Sequence, residues 1–248
     1  MIDDKVFLHF PVNFKDICKI YPPTVNDVVG NDKFIQYQSL FTLSQEELTD
    51  EYAKNTTSGA IPTPFQYLLI SYYGSPEFKK LILDGFMYFL REPVTVVPEL
   101  EVVIIGKSEE ELDPDVDLVK PRLIDKTNYF DFQNQIRQIM GQKAIEPPVI
   151  DEDPRVARIK AKFRQREKTL AKRQSGPKLG TLLAAICCMG IGLNPLNIGE
   201  MSYACVPWLI QMYQQQEEYD VDIRALLAGA DKKKVKPKYW IRNLNLDK

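Results

Sequence analysis

Few residues in this chain could do chemistry, and their spacing decides what that chemistry would be. Any histidine-based dyad or triad must use His9, the one histidine of the sequence. It lies in Lys5–Phe10, a run that alternates as a strand does, where a lone histidine reads as structural. The four cysteines, Cys18, Cys187, Cys188 and Cys205, form no CxxC pair, so the chain is short of zinc ligands. On a helix the adjacent Cys187 and Cys188 point about 100° apart, which suits core positions better than shared coordination. With no framework spacing, and three of them in apolar helical context, the cysteines read as reduced, buried thiols.

Asp151, Glu152 and Asp153 supply oxygen atoms fit for Mg²⁺, but acids just ahead of a helix more often stabilise its positive end. The glycines and lysine of Gly176–Thr181 lack phosphate-loop spacing. Gly190-Ile191-Gly192 lacks the third glycine and the preceding strand of a dinucleotide site. The acidic run Glu109–Asp117 lacks the central glycine of a calcium loop and reads as solvated. The expectation is therefore a protein that is not an enzyme, with no catalytic, metal-binding or cofactor-binding residue assigned.

What remains is charge and amphipathicity. The chain has 248 residues, 44% apolar and 27% charged, with a net charge of −2, which argues against a generally basic nucleic-acid coat. Base is concentrated instead in Arg155–Lys178 and in the arm after Gly229. Arg155–Arg173 carries nine Arg or Lys and one acid, Glu167. Its apolar residues Val156, Ile159, Phe163 and Leu170 recur at steps of three, four and seven, a narrow seam that one partner helix would cover. Arg155, Arg158, Lys162 and Arg166 are candidate phosphate contacts, joined by Lys234, Lys236 and Trp240 of the arm. The other reading of the same charges is a solvated cationic face paired with acids elsewhere. No span of about 18 apolar residues exists and no signal segment is evident, so neither a membrane crossing nor secretion is expected.

The elements that position these residues follow from caps and periodicity. Thr24 opens a helix through Val25, Val28 and Val29, broken at Gly30-Asn31 and resumed over Phe34–Phe41. Ser44 to Glu47 matches a capping box. Thr63-Pro64 and Ser75-Pro76 each place a cap before a proline. After the second, Phe78, Leu81, Ile82, Phe86, Phe89 and Leu90 share one face. Phe14–Tyr21 reads as a helical turn and Tyr52–Ser58 as a loop. Val94–Val97 and Glu101–Ile105 suit a hairpin, Lys120–Ile124 a third strand, and Thr127 caps a helix over Tyr129–Met140. Near the end, Thr181 caps a short apolar helix stopped by Gly190, Gly192, Asn194 and Pro195. Ser202 caps a longer one in which Val206, Leu209, Ile210 and Tyr213 form an apolar face.

The fold expected is α+β and mostly helical. Residues 1–142 form an α+β body with a small sheet, 143–153 a Pro-rich acidic linker, 154–174 a basic helix, and 178–248 a C-terminal helical hairpin with a basic arm. The hairpin buries its own small core, or it is a docking unit whose apolar face accepts another chain; both hold if it buries only part of its stripe.

The segment Asn194-Pro195, Ile198, Met201-Ser202 and Trp208–Tyr219 resembles the tail-assembly chaperones and related small tail-gene products of long-tailed bacteriophages. In these, a Pro-containing turn leads to a Met-Ser or Met-Thr start and a helix ending in charge. The resemblance covers about a quarter of the chain. The chain is longer than the usual chaperones, and the resemblance does not extend to its N-terminal body, which leaves chaperone and structural tail component both open. The resemblance implies no active site. It implies binding to a long helical tape-measure protein or to neighbouring tail subunits, in the bacterial host cytoplasm or in the virion, with association of like copies also open. Val156, Ile159, Phe163, Leu170, Val206, Leu209, Ile210 and Tyr213 are the candidate partner-binding residues. The competing reading is a nucleic-acid-binding module built on 155–178 and the Lys/Trp arm.

Overall fold

The computed structural model describes residues 4–55, 61–108, 122–145, 177–231 and 234–238. It is α+β and mostly helical, as expected. In order, the elements are α1 (Asp4–Phe7), β1 (Val12–Phe14), β2 (Cys18–Ile20), α2 (Val25–Val29), α3 (Phe34–Thr42), α4 (Gln45–Asn55), α5 (Pro64–Gly74) and α6 (Pro76–Leu90). Then come β3 (Val94–Val97), β4 (Val102–Ile105), β5 (Leu123–Asp125), α7 (Tyr129–Ile139), α8 (Leu179–Cys188) and α9 (Cys205–Leu227), with a 3-10 turn at Ile198–Glu200.

The caps that the sequence advertises are made where they can satisfy orphan N–H groups. Thr24 Oγ1 accepts from Asp27 N at 3.0 Å while Asp27 accepts from Thr24 N at 2.9 Å. Ser44 and Glu47 exchange the same pair of bonds. Thr63 and Gln66 do so before α5, and Ser75 caps α6.

Several elements differ from the reading above. Lys5–Phe10 is not a strand. The N–H groups of Leu8 and Phe10 bond back to the carbonyls of Asp4 and Lys5, and His9 at φ +61° ends the coil. Phe14–Tyr21 is not a helical turn but the end of a hairpin, with Phe14 opposite Cys18 and Val12 opposite Ile20. Its turn uses Lys15 and Asp16 at φ +45° and +57°, a conformation usually signalled by Asn or Gly, neither of which stands here. Tyr52 to Asn55 continues α4 rather than starting a loop, because the box at Ser44 and the buried Leu48 anchor a helix whose other face is solvated. Thr181, Ser202 and Thr127 do not cap. Thr181 already lies inside α8, and Ser202 precedes a helix that starts at Cys205. Thr127 Oγ1 donates to Asp125 at 2.6 Å instead. The sheet β3-β4-β5 is antiparallel throughout, with Val96 opposite Val103 and Val103 opposite Ile124.

One aromatic core joins these elements. Phe41, Phe86, Phe89 and Phe132 are each at most 1% exposed. Phe41 meets Phe86 edge-on at 4.7 Å, and Phe14 meets Phe132 at 5.5 Å. Gly85 lets Phe41 this close: a Cβ there would lie 2.6 Å from Phe41 Cε2. Two side chains of α7 reach the carbonyls that the end of α3 leaves open. Gln133 donates to Leu43 O at 2.6 Å and Arg137 to Thr42 O at 2.7 Å. Outside the core, Arg122 locks the hairpin to the sheet, donating to Ile17 O at 2.6 Å and gripping Glu92 at 2.7 and 3.0 Å.

The C-terminal residues are attached to this body by backbone. Val25 N donates to Met201 O and Tyr203 N to Pro23 O, both at 2.9 Å, around a Thr24–Ser202 bridge. Gly141, at φ +69°, admits the Ala204 backbone, whose oxygen would be 2.8 Å from any Cβ placed there. Phe7 meets Trp208 at 5.5 Å and Phe34 meets Tyr203 at 5.4 Å.

Candidate partner-docking surfaces

The histidine and two of the four cysteines are held uncharged by burial. Burial lowers the His9 pKa, with Asp27 opposing and Arg91 reinforcing, so the ring is neutral at pH 7. Its Nδ1 is buried without a hydrogen-bond partner among the described residues. Burial pushes the Cys18 thiol up to about 12 and the Cys205 thiol to about 11, so neither is a thiolate at neutral pH. Cys188 is exposed and Cys187 half-buried, against the expectation of core thiols, because Ile186 is the residue α8 buries. Among the described residues no group of three His, Cys, Asp or Glu could hold a metal ion, and no helix is long and apolar enough to cross a membrane.

The C-terminal module is an αα unit with a small core that it shares with α2 of the body. Val25 from the body, Ile186 from α8, Ile198 from the turn and Val206 from α9 are buried together. Gly190 and Gly192 take φ +71° and +82° to turn the chain out of α8. Asn194 and Asn197 close that turn by bonding Leu196 N and Asn194 N at 2.9 and 2.8 Å.

The candidate residues are placed as follows. Val206 is 2% exposed, inside the small core. Leu209 and Ile210 are half-buried against it. Tyr213 is 37% exposed, and Glu217, one turn on, raises its pKa with a smaller contribution from Cys188 of α8. The face singled out from sequence thus spends its first turn on the module's own packing. Lys234 and Lys236 are exposed. Val156, Ile159, Phe163, Leu170, Arg155, Arg158, Lys162, Arg166 and Trp240, with the basic helix and most of the linker, lie outside the described residues.

A second stripe on α9 was legible in the sequence only at its end, where Ile223 and Leu226 restart the apolar pattern. Trp208, Met212, Gln215, Tyr219, Ile223 and Leu226 recur at steps of three and four on another side of the helix, and all are half-buried. Nε1 of Trp208 and Oε1 of Gln215 are buried there without a hydrogen-bond partner among the described residues. The polar Gln215 in mid-stripe hides the period from a hydropathy count.

On the body, a groove of about 710 Å³ opens between α3, α4, α5 and the first turns of α6. Ile35, Leu40, Leu43, Tyr67, Phe78 and Leu81 line it. Ile35 is 72% and Phe78 47% exposed, so Phe78 leaves the buried face that its spacing predicts. The periodicity of α6 is real, but its first turn runs past the core.

Fold and surfaces together define an α+β body carrying a helical module with unburied apolar side chains. The module matches a known family: residues 171–245 fit the YomV second domain, a phage-type protein family, consistent with a phage-related protein. No curated protein and no solved structure matches the chain.

Proposed function

We propose that the chain is a non-enzymatic assembly protein of a long phage tail. It binds a helical partner, such as a tape-measure protein or a neighbouring tail subunit, through the C-terminal module. One observation carries this reading: α9 has 23 residues and buries Cys205 and Val206, while Val221 stays 59% and Leu227 83% exposed. At about 1.5 Å per residue, α9 is about 34 Å long, and its contacts with the small core end at Ile210. Side chains left so are what a helix-in-groove or paired-helix contact covers. The phage-type family match over the same residues supports the setting.

The test is co-expression with the tail-gene products of the same genome, followed by size-exclusion chromatography after nuclease treatment at two salt concentrations. The expected result is a discrete complex that survives both treatments and is lost on Val221→Asp with Leu227→Asp. A chain that elutes alone with every tail partner sinks the proposal. The exposed Lys234 and Lys236 favour a second reading, nucleic-acid binding, in which nucleic acid co-purifies and leaves as salt rises.

A further inference from the structure

We infer that the groove on the body docks a basic amphipathic helix of another protein. The groove is a separate surface from the module: all of its lining residues precede residue 82, whereas the family match begins at 171. Its apolar wall is formed by helices and is open to solvent, because Ile35 and Phe78 keep 72% and 47% of their surface. Within α3, Ile35 lies off the buried stripe Phe34, Tyr37 and Phe41 and takes no part in the core, while Leu40 packs on the core's edge and turns its remaining surface to the groove. A volume of 710 Å³ lies within the range of pre-formed binding clefts, and an apolar ridge repeating at three and four residues is the shape that inserts into such a groove.

Charge selects the helix. Glu51 and Glu77 stand on the lining, and neither has an ion pair among the described residues. Glu51 is presented by α4 and Glu77 by the first turn of α6, on two sides of the groove. Of the two lining lysines, Lys33 is engaged by Asp84 at 3.2 Å, which leaves Lys80 against the two acids. A helix with an apolar ridge flanked by Lys or Arg satisfies wall and rim together. A like-charged acidic helix would be repelled.

The inference rests on the reading of the chain as a partner-binding protein, but it uses different residues, so the two fail separately. The probe is a fluorescein-labelled synthetic helix of about 18 residues, with Leu at steps of three and four and Lys elsewhere. Its binding to the full chain is followed by anisotropy, beside the same peptide with Glu in place of Lys. The Lys peptide is expected to bind at least roughly tenfold tighter than the Glu peptide, and Phe78→Ala with Ile35→Ser to weaken it by a similar factor. Glu51→Lys with Glu77→Lys is expected to remove the preference for the Lys peptide, and Leu227→Asp to leave binding unchanged. All of these positions are exposed, and far-UV circular dichroism checks that each variant is folded. Equal binding by the groove variants overturns the inference.

Replacing Ile35 by the photo-crosslinker p-benzoylphenylalanine identifies the occupant. An adduct with the peptide supports the inference. An adduct with residues 154–174 of the same chain, or with a second copy, puts another occupant in the groove and overturns it.

Discussion

Helices α6 and α9 are both amphipathic, yet they use their apolar residues in opposite ways. In α6, 15 residues long, Ile82, Gly85, Phe86, Phe89 and Leu90 are buried, and their rings interlock with α3 and α7. In α9, 23 residues long, the buried set is Cys205 and Val206. Tertiary burial of one face is what stabilises most helices in proteins. α6 satisfies that rule within the chain. α9 fully buries side chains only in its first turn, half-buries the stripe from Trp208 to Leu226, and presents Val221 and Leu227 to the outside. α6 is therefore the helix that carries stability within the chain, and α9 the one that leaves large apolar side chains exposed far from the core it joins.

The largest effect should come from the body. Phe86→Ala removes a fully buried ring and is expected to cost about 3–5 kcal/mol in urea denaturation. A loss below about 1 kcal/mol would mean that the aromatic cluster is looser than its ring contacts indicate. Ile186→Ala empties the centre of the small core and should cost about 2–4 kcal/mol. Because Pro23, Val25, Met201 and Tyr203 join module to body by backbone, the loss should appear in the global transition. Hydrogen exchange that speeds up in α8 and α9 alone would break the comparison by showing a module that opens independently.

Gly85→Ala sharpens the contrast within α6. Alanine gains about 1 kcal/mol of helix propensity, but its Cβ would sit 2.6 Å from the buried Phe41 ring. The overlap should prevail, leaving a net loss of about 1–2 kcal/mol by thermal melting; a stabilised variant would show that Phe41 can shift at little cost. Glu92→Gln tests the clamp between hairpin and sheet. Hydrogen bonding to Arg122 lowers the Glu92 pKa, although burial works against it. The folded pKa is thus below the unfolded one. The pair's contribution is complete above the unfolded value and is lost as pH falls through the folded value. At 31% and 44% exposure the pair is partly screened, so the loss at pH 7 should be about 0.5–1 kcal/mol and should vanish in acid. A loss that persists in acid would assign the effect to packing. Smallest of all, Leu227→Ser should change stability by less than about 0.5 kcal/mol, since the side chain is 83% exposed. A larger change would mean that α9 is supported along its whole length.

Much of the fold was legible where local chemistry decides it. Thr24, Ser44, Thr63 and Ser75 each carry a side chain that satisfies a backbone N–H three residues on, and each opens a helix as read. The hairpin of β3 and β4 follows from unbroken β-branched runs. Thr181 and Ser202 carry the same cap chemistry but do not cap, because packing and the bridge to Thr24 place the helix starts elsewhere. The hairpin at Lys15-Asp16 was not legible, since neither residue announces a positive φ.

Of the candidate surfaces, the sequence alone determined that α9 is amphipathic and that base gathers in the arm. Only the tertiary structure decided which side of α9 is used up. Val206 turns inward because the Pro23–Val25 segment pairs with Met201–Tyr203 and brings Val25 against it, a contact across about 180 residues that no local pattern encodes. The groove is of the same kind. Phe78 looks like a core residue in a periodicity count, and it lines an open surface with Ile35 because α3 and α6 share one aromatic core that reaches neither of them. Periodicity states which residues of a helix share a side, whereas the finite reach of a packed core decides which of them stay outside it.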